Sequence, residues 1–268
     1  MRGTNLQIGT FARNNKQIQN ALQYEPDFID LRMDLNYSFD FSSAKKTLAD
    51  AGIGCTLHLP SSPEWKPMNL ARDIVPYIDL GRDIGAELIC FHTTLSTLFY
   101  EDQDIEAFLT SLPMACDVIK GSGVSVAIET LGLFYTELML LFDAHPRIGM
   151  ALDLGHGQIL ANRNRALEHI TSFPDKIKMV IVHDNNGQDM VKDLLALKKE
   201  RIVPIEEVRE MAVEYDSHLP IGEGSIDFEP MFRELKENHY DGKFLMMCAD
   251  QTKFQSEREK FMELWLKA

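Results

Sequence analysis

The chain has 268 residues, of which 45% are hydrophobic and 25% charged, and its formal net charge is −14. That length is enough for one well-buried core. No apolar run approaches the ~20 residues of a membrane span, and the negative charge opposes nonspecific attraction to nucleic-acid phosphates.

Met1 to Asn5 lead almost directly into an apolar strand pattern, without the apolar core of a signal peptide, so a cytoplasmic location is expected. Short apolar, β-rich runs then recur at 6–11, 28–33, 54–59, 87–92, 125–130, 148–153, 179–184 and 243–249. Their middles are almost wholly apolar, as expected of parallel strands covered on both faces. Amphipathic stretches separate them. Residues 69–84 carry Leu70, Ile74, Ile78 and Ile84 on one side, with Pro76 expected to bend the helix. Further helices are expected at 104–120, 135–143, 163–173, 228–238 and 254–266. Strand–helix alternation repeated eight times predicts an α/β fold in a single domain over 1–268, a (β/α)₈ TIM barrel, which the chain length suits, or a doubly wound sheet. No Gly-x-Gly-x-x-Gly follows the first strand, which argues against a dinucleotide-binding sheet. A helical insertion is expected at about 188–215, as two short helices broken at Pro204; its place after a strand end suits a lid over the barrel mouth.

Cys55, Cys90, Cys116 and Cys248 form no Cys-x-x-Cys, so a Cys-rich structural zinc site is not expected. The chemistry gathers instead where the apolar strands stop. Strand three ends at His58, strand four at His92, strand five at Glu129, strand six at Asp153 with His156 just beyond, and strand seven at His183. Parallel closure brings all these ends to one face. A buried charge is costly unless paired or bound to metal, and imidazole with carboxylate is the ligand set of zinc, manganese and similar ions. A divalent metal cofactor follows, zinc or manganese first, magnesium or cobalt as alternatives. After the insertion, Asp216 and His218 sit two apart on what reads as an extended segment, so they point the same way. His145, His169 and His239 fall in loop or helix patterns and are expected at the surface.

Four segments, VAIET, ALDLGHG, VHDNNG and DSHLPIGEG, occur in that order, and with them nearly the whole chain resembles the xylose isomerase-like TIM barrels. That superfamily includes sugar-phosphate isomerases and epimerases and the endonuclease IV family. The resemblance implies that Glu129, Asp153 and His183 are ligands of the shared metal site. It implies that His58, His92, His156, Asp216 and His218 match further ligands of the three-zinc branch. It also implies a catalytic glutamate near the end of strand eight, where this chain has Met247; Cys248 or Asp250 can substitute only if the register shifts. The favoured function at this level is a metal-dependent sugar or sugar-phosphate isomerase or epimerase. Glu129 and His183 would act as catalytic groups on a small carbohydrate-like substrate, with proton transfer next to a metal-bound carbonyl or hydroxyl. The alternatives are an endonuclease IV-like zinc phosphodiesterase and a metal-binding barrel without catalysis. Nucleic acid is the less favoured partner on charge, no membrane is expected, and a homo-oligomer is compatible with the sequence.

Overall fold

The computed structural model describes residues 6–268; Met1 to Asn5, where a signal peptide was sought, lie outside the described residues. Eight parallel strands close into a barrel in simple sequence order. They are β1 (Gln7–Ala12), β2 (Phe28–Arg32), β3 (Gly54–His58), β4 (Leu88–His92), β5 (Ser125–Glu129), β6 (Gly149–Asp153), β7 (Ile177–Val182) and β8 (Lys243–Met246). The register sets the heights of the strand ends. Arg32 lies beside His58, and His92 beside Glu129, so four strand-terminal polar residues share one rim. β8 stops three residues short of the expected end. Beyond it the Met247 N–H donates to the Val182 carbonyl, but the Ala249 N–H turns to the His218 carbonyl.

The helices are α1 (Asn15–Leu22), α2 (Phe41–Ala51), α3 (Ile78–Ile84), α4 (Asp102–Ser122), α5 (Tyr135–Ala144), α6 (Ala166–Ser172), α7 (Asp189–Glu200), α8 (Ile205–Tyr215), α9 (Glu229–Glu237) and α10 (Phe254–Lys267). Two of them, α1 and α2, add to those expected. Each starts at a capping side chain, Asn14 for α1 and Asp40 for α2, which accepts the N–H three residues on. The expected 69–84 helix is divided at Pro76 into a wide π turn, a 3₁₀ turn and α3, because proline lacks the N–H that a continuous helix needs.

Apolar side chains pack at three levels. One core lies between the strands and the outer helices. A second fills the barrel interior with Phe11, Phe28, Leu88, Cys90, Met179, Leu245 and Met247, so the barrel is plugged beneath its mouth. The third sits at the rim. There Met190 and Leu194 of α7 and Val208 and Ala212 of α8 pack on Trp65, Phe99, Tyr100, Leu131 and Ile159, which stand in the connections after β3, β4, β5 and β6. The α7–α8 hairpin therefore lies against loops on the C-terminal side of the strands. In the outer ring it is α9 that packs between α6 and α10. The hairpin is additional to the ring.

The seam between α9, α10 and β8 is aromatic. The Phe244 ring lies 4.8 Å from Phe261 and 5.0 Å from Trp265, and Phe232 is fully buried with them. Phe244→Ala is expected to lower stability by about 3–5 kcal/mol, the usual cost of emptying a buried aromatic site. Urea denaturation followed by tryptophan fluorescence checks this, and a loss below about 1 kcal/mol would show that this seam contributes little.

Candidate metal centre

Each expected ligand arrives from a strand end or the segment just past it. His58, His92, Glu129 and Asp153 are the last residues of β3, β4, β5 and β6, His183 follows β7, and all are buried. His156 is carried inward by the turn after β6, where its own N–H donates to Asp153 Oδ1 at 2.8 Å. Asp216 and His218 follow α8. That segment is tied to the end of β7 by a two-way backbone pairing of Asp184 with Leu219, and by Asp184 carboxylate oxygens that accept the N–H groups of Gly222 and Ile226. The Asp216–His218 stretch is not simply extended as expected. His218 takes a left-handed φ of +46°, which still brings its Nε2 to 3.2 Å from Asp216 Oδ2. Trp65, at φ +52°, is the other left-handed residue lining the cavity; such conformations cost about 1–3 kcal/mol and persist where surrounding packing enforces them.

The donors converge in three overlapping groups: His58, His92 and Glu129; Glu129, Asp153 and His156; and His156, His183, Asp216 and His218. Within each group the donor atoms lie within 4.8 Å of one another. Glu129 is common to the first two groups and His156 to the last two. Glu129 Oε1 is 2.9 Å from His92 Nε2 and 3.4 Å from His156 Nδ1, while Oε2 is 3.2 Å from His58 Nε2. Asp153 Oδ1 is 3.1 Å from His183 Nε2, and Asp216 Oδ2 is 3.2 Å from His156 Nε2. Gly155 makes room for this: a Cβ there would stand 2.0 Å from the His183 ring.

These polar atoms are close but not mutually satisfied. Both ring nitrogens of His58 and His183, Nδ1 of His156 and Oδ1 of Asp216 are buried without a hydrogen-bond partner. Buried polar groups are almost always paired. Nitrogen and carboxylate groups this close together, several of them without a hydrogen-bond partner, fit divalent cations of the zinc type.

The protonation pattern agrees. Burial pushes the Glu129 carboxyl up, but Arg32, His92 and His58 outweigh it and hold Glu129 well below the usual carboxylate range. Asp153 and Asp216 are lowered in the same way against their burial, by His156 and His183 and by His218 and His156 respectively. Burial lowers His92. Burial also pulls His156 down, but Asp153, Asp216 and Glu129 together carry it up to about 9.

Three residues that line the cavity, Arg13, Arg32 and Asp34, were not singled out from sequence. Arg32, at the end of β2, approaches Glu129 Oε2 through Nη2 at 3.4 Å. Arg13 and Asp34 line the same cavity. The clue was available, since β2 also ends in a polar residue, but a strand-end arginine is not a metal ligand and so does not fit that search. Trp65 lies inward with its ring 5.4 Å from His156. At strand eight no substitute ligand appears: Met247 lines the cavity, its carbonyl accepting from His218 Nδ1 at 2.9 Å, while Cys248 belongs to a separate crevice with Thr10 and Phe254. Asp250 caps the turn before α10, and Glu223 is exposed and faces Lys253. One surface expectation is corrected. His169 is buried, its Nε2 3.0 Å from the Leu133 carbonyl, because α6 turns that side chain toward the rim rather than to solvent.

The fold and site together define a barrel with a largely buried cluster of imidazole and carboxylate side chains, able to hold metal ions, at its C-terminal mouth. Residues 19–264 match the family model described as xylose isomerase-like TIM barrel, and the chain belongs to that family. An uncharacterized protein of Methanocaldococcus jannaschii, MJ1614, is 21% identical over 243 residues, 85% of either chain. Among solved structures, a D-tagatose 3-epimerase-like protein superposes with a TM-score of 0.71 at 17% identity, covering 98% of this chain and 99% of that one. The IolI protein with a bound zinc atom gives 0.69 at 12% identity, covering 98% and 99%. The AP endonuclease, family 2, of Brucella melitensis gives 0.64 at 13% identity, covering 96% and 98%. These likenesses establish the shared fold.

The raised pKa of His156 carries a pH prediction for metal-free protein. A histidine lifted from its ordinary value near 6.5 to about 9 adds stability that is fully present below pH ~6.5 and lost as pH rises through 9. The thermal midpoint of chelator-treated protein is therefore expected to fall between those pH values, and His156→Gln to flatten the fall. Identical profiles for the two proteins would contradict the assignment.

Proposed function

We propose that this protein is a multinuclear divalent-metal-dependent hydrolase acting on a phosphoester of a small molecule. The observation that carries this reading is the chained set of three donor groups, linked through Glu129 and His156, together with Met247 where a strand-eight carboxylate would oppose Glu129. Proton transfer at the two faces of one carbon by opposed glutamates lacks its second acid here. Hydrolysis needs several positive centres around one phosphoryl group, and the donor set suits that.

Bound divalent ions would polarise a phosphoryl oxygen and activate water. The protein's own part is to hold the donors. His58, His92 and Glu129 would hold one ion, Glu129, Asp153 and His156 a second, and His156, His183, Asp216 and His218 a third. Glu129 stays ionised against its burial because Arg32, His92 and His58 surround it. Trp65, Val213 and Met247 form apolar wall around the cavity and limit access of bulk water. Val213 belongs to α8, so the α7–α8 hairpin contributes to that wall and is proposed to act as a cover for bound substrate.

Substrate size follows from the space. The cavity has a volume of about 410 Å³, in the range of small-molecule sites. The net charge of −14 opposes gripping a duplex. The same cavity also admits a sugar phosphate, which supports the second reading, a metal-dependent isomerase that uses Glu129 and His183 around a single ion.

Protein purified without added metal is expected to hold two or three divalent ions per chain by elemental analysis. It should cleave a chromogenic phosphoester, lose that activity to a chelator and regain it with zinc or manganese. Glu129→Gln should cut the rate by more than about 100-fold, as removal of a group supporting transition-state charge does. One ion per chain, no phosphoester turnover, and solvent hydrogen exchange into a sugar phosphate would favour the isomerase instead.

A further inference from the structure

We propose that Arg13 and Arg32 form an oxyanion-binding wall of the cavity, which takes a phosphate group carried by the substrate. The assignment deepens the proposed function and rests on it only in taking this cavity as the substrate site.

The wall is built by two adjacent strands. Arg32 ends β2, and Arg13 follows β1 directly. A single carboxylate orients both: Asp34 accepts Arg13 Nε at 2.6 Å and Nη2 at 3.0 Å, and Arg32 Nε at 2.7 Å. Asp34 is itself fixed by the Leu35 N–H at 2.6 Å. Arg13 is further placed over the Phe11 ring at 4.7 Å, and its backbone N–H donates to Gln17 Oε1 at 2.6 Å. Asp34 thus orients both guanidinium groups, while the outer nitrogens of Arg32 also face the Asp30 and Glu129 carboxylates at 3.4 Å.

The remaining donors are weakly engaged. Arg32 Nη1 and Nη2 stand 3.4 Å from Asp30 and Glu129, long for charge-assisted bonds, which run about 2.7–2.9 Å. The Asp30 carboxylate already accepts from Thr56 Oγ1 at 2.5 Å. Arg32 has only 4% of its side chain exposed, and a cation that deep is costly when its donors are poorly matched. An oxyanion entering from the cavity would complete them. Arg13, 20% exposed, reaches the same space from the solvent side.

Charge placement is selective. The chain has a net charge of −14, and the cavity at the barrel mouth is lined by Asp34, Glu129 and Asp216, yet Arg13 and Arg32 stand together on one side of it and are the only Lys or Arg there among the described residues. Guanidinium forks match the geometry of phosphate oxygens. The position of Arg32 beside Glu129 puts such a group next to the proposed metal-binding donors, where a substrate phosphate is either the reacting group or its anchor.

The test uses inorganic phosphate as the probe, titrated calorimetrically onto protein as purified and onto Arg13→Met and Arg13→Lys, with metal content and thermal midpoint recorded for each. Arg13 is chosen because it is the less buried of the pair. Phosphate binding is expected to weaken by about tenfold or more in Arg13→Met at unchanged metal content, with partial recovery in Arg13→Lys. Acetate at equal concentration is expected to compete poorly. Equal phosphate affinity in all three proteins, or a loss that merely tracks lost metal, overturns the proposal; so does acetate displacing phosphate at equal concentration. Because the readout is equilibrium binding compared at equal metal content, it is independent of phosphoester turnover. A failed hydrolase assay with Arg13-dependent phosphate binding therefore rejects the proposed reaction and leaves this site standing.

Discussion

One carboxylate organises the mouth of this barrel. Glu129 is buried at the end of β5, and His58, His92, His156 and Arg32 all reach its two oxygens within 3.4 Å. Removing an ionised carboxylate from water is expensive, and it stays ionised only because cationic and imidazole partners converge on it. That condition constrains the neighbouring strands. β3 and β4 must end in imidazoles at this height, and β2 must deliver a guanidinium there. The parallel register supplies this, pairing Arg32 with His58 and His92 with Glu129. Hydrogen bonds within the protein do not complete the cluster, since several ring nitrogens remain without partners, and divalent cations are the species that would complete it.

The rest of the molecule reads as support for that cluster. The interior plug of Phe11, Phe28 and Met179 closes the barrel beneath it, keeping the local dielectric low and the carboxylate–imidazole interactions strong. Asp184 and Glu257 bind backbone N–H groups of the segment after His218, which locks the third donor group to the end of β7. The α7–α8 hairpin closes over the loops that follow β3 to β6, and through Trp65 and Phe99 it connects to the His156 ring. A cavity with clustered imidazole and carboxylate groups on one side and two guanidinium groups on another is the result.

Much of this was legible before the structure. Continuous apolar runs separated by amphipathic stretches read as buried parallel strands and covering helices, because a period-free run can be satisfied only when both faces are covered. Polar residues at the strand ends were legible for the same reason, since His58, His92, Glu129 and Asp153 interrupt otherwise apolar patterns. What the pattern hid depends on context. α1 and α2 start at side-chain caps, Asn14 and Asp40, and bury few apolar residues, Ile18 and Ala21 in α1 and Ala44 and Leu48 in α2. The burial of His169 follows from which way α6 faces, and its position in a helix pattern carries no sign of that. Arg32 escaped notice because arginine ligates no metal. Its importance appears only when closure sets β2 within reach of β5. The early end of β8 is likewise a tertiary effect, as His218 captures the N–H of Ala249 and draws the chain off the sheet.

Anomalous X-ray diffraction at the zinc or manganese edge from crystals of the as-purified protein tests the central claim most directly. The account predicts at least two peaks at the barrel mouth, with Glu129 shared between two of them and bond lengths near 2.0–2.2 Å to its oxygens and the flanking imidazoles. Absence of any peak there from protein whose bulk metal content is stoichiometric, with the metal found elsewhere on the molecule, would contradict it.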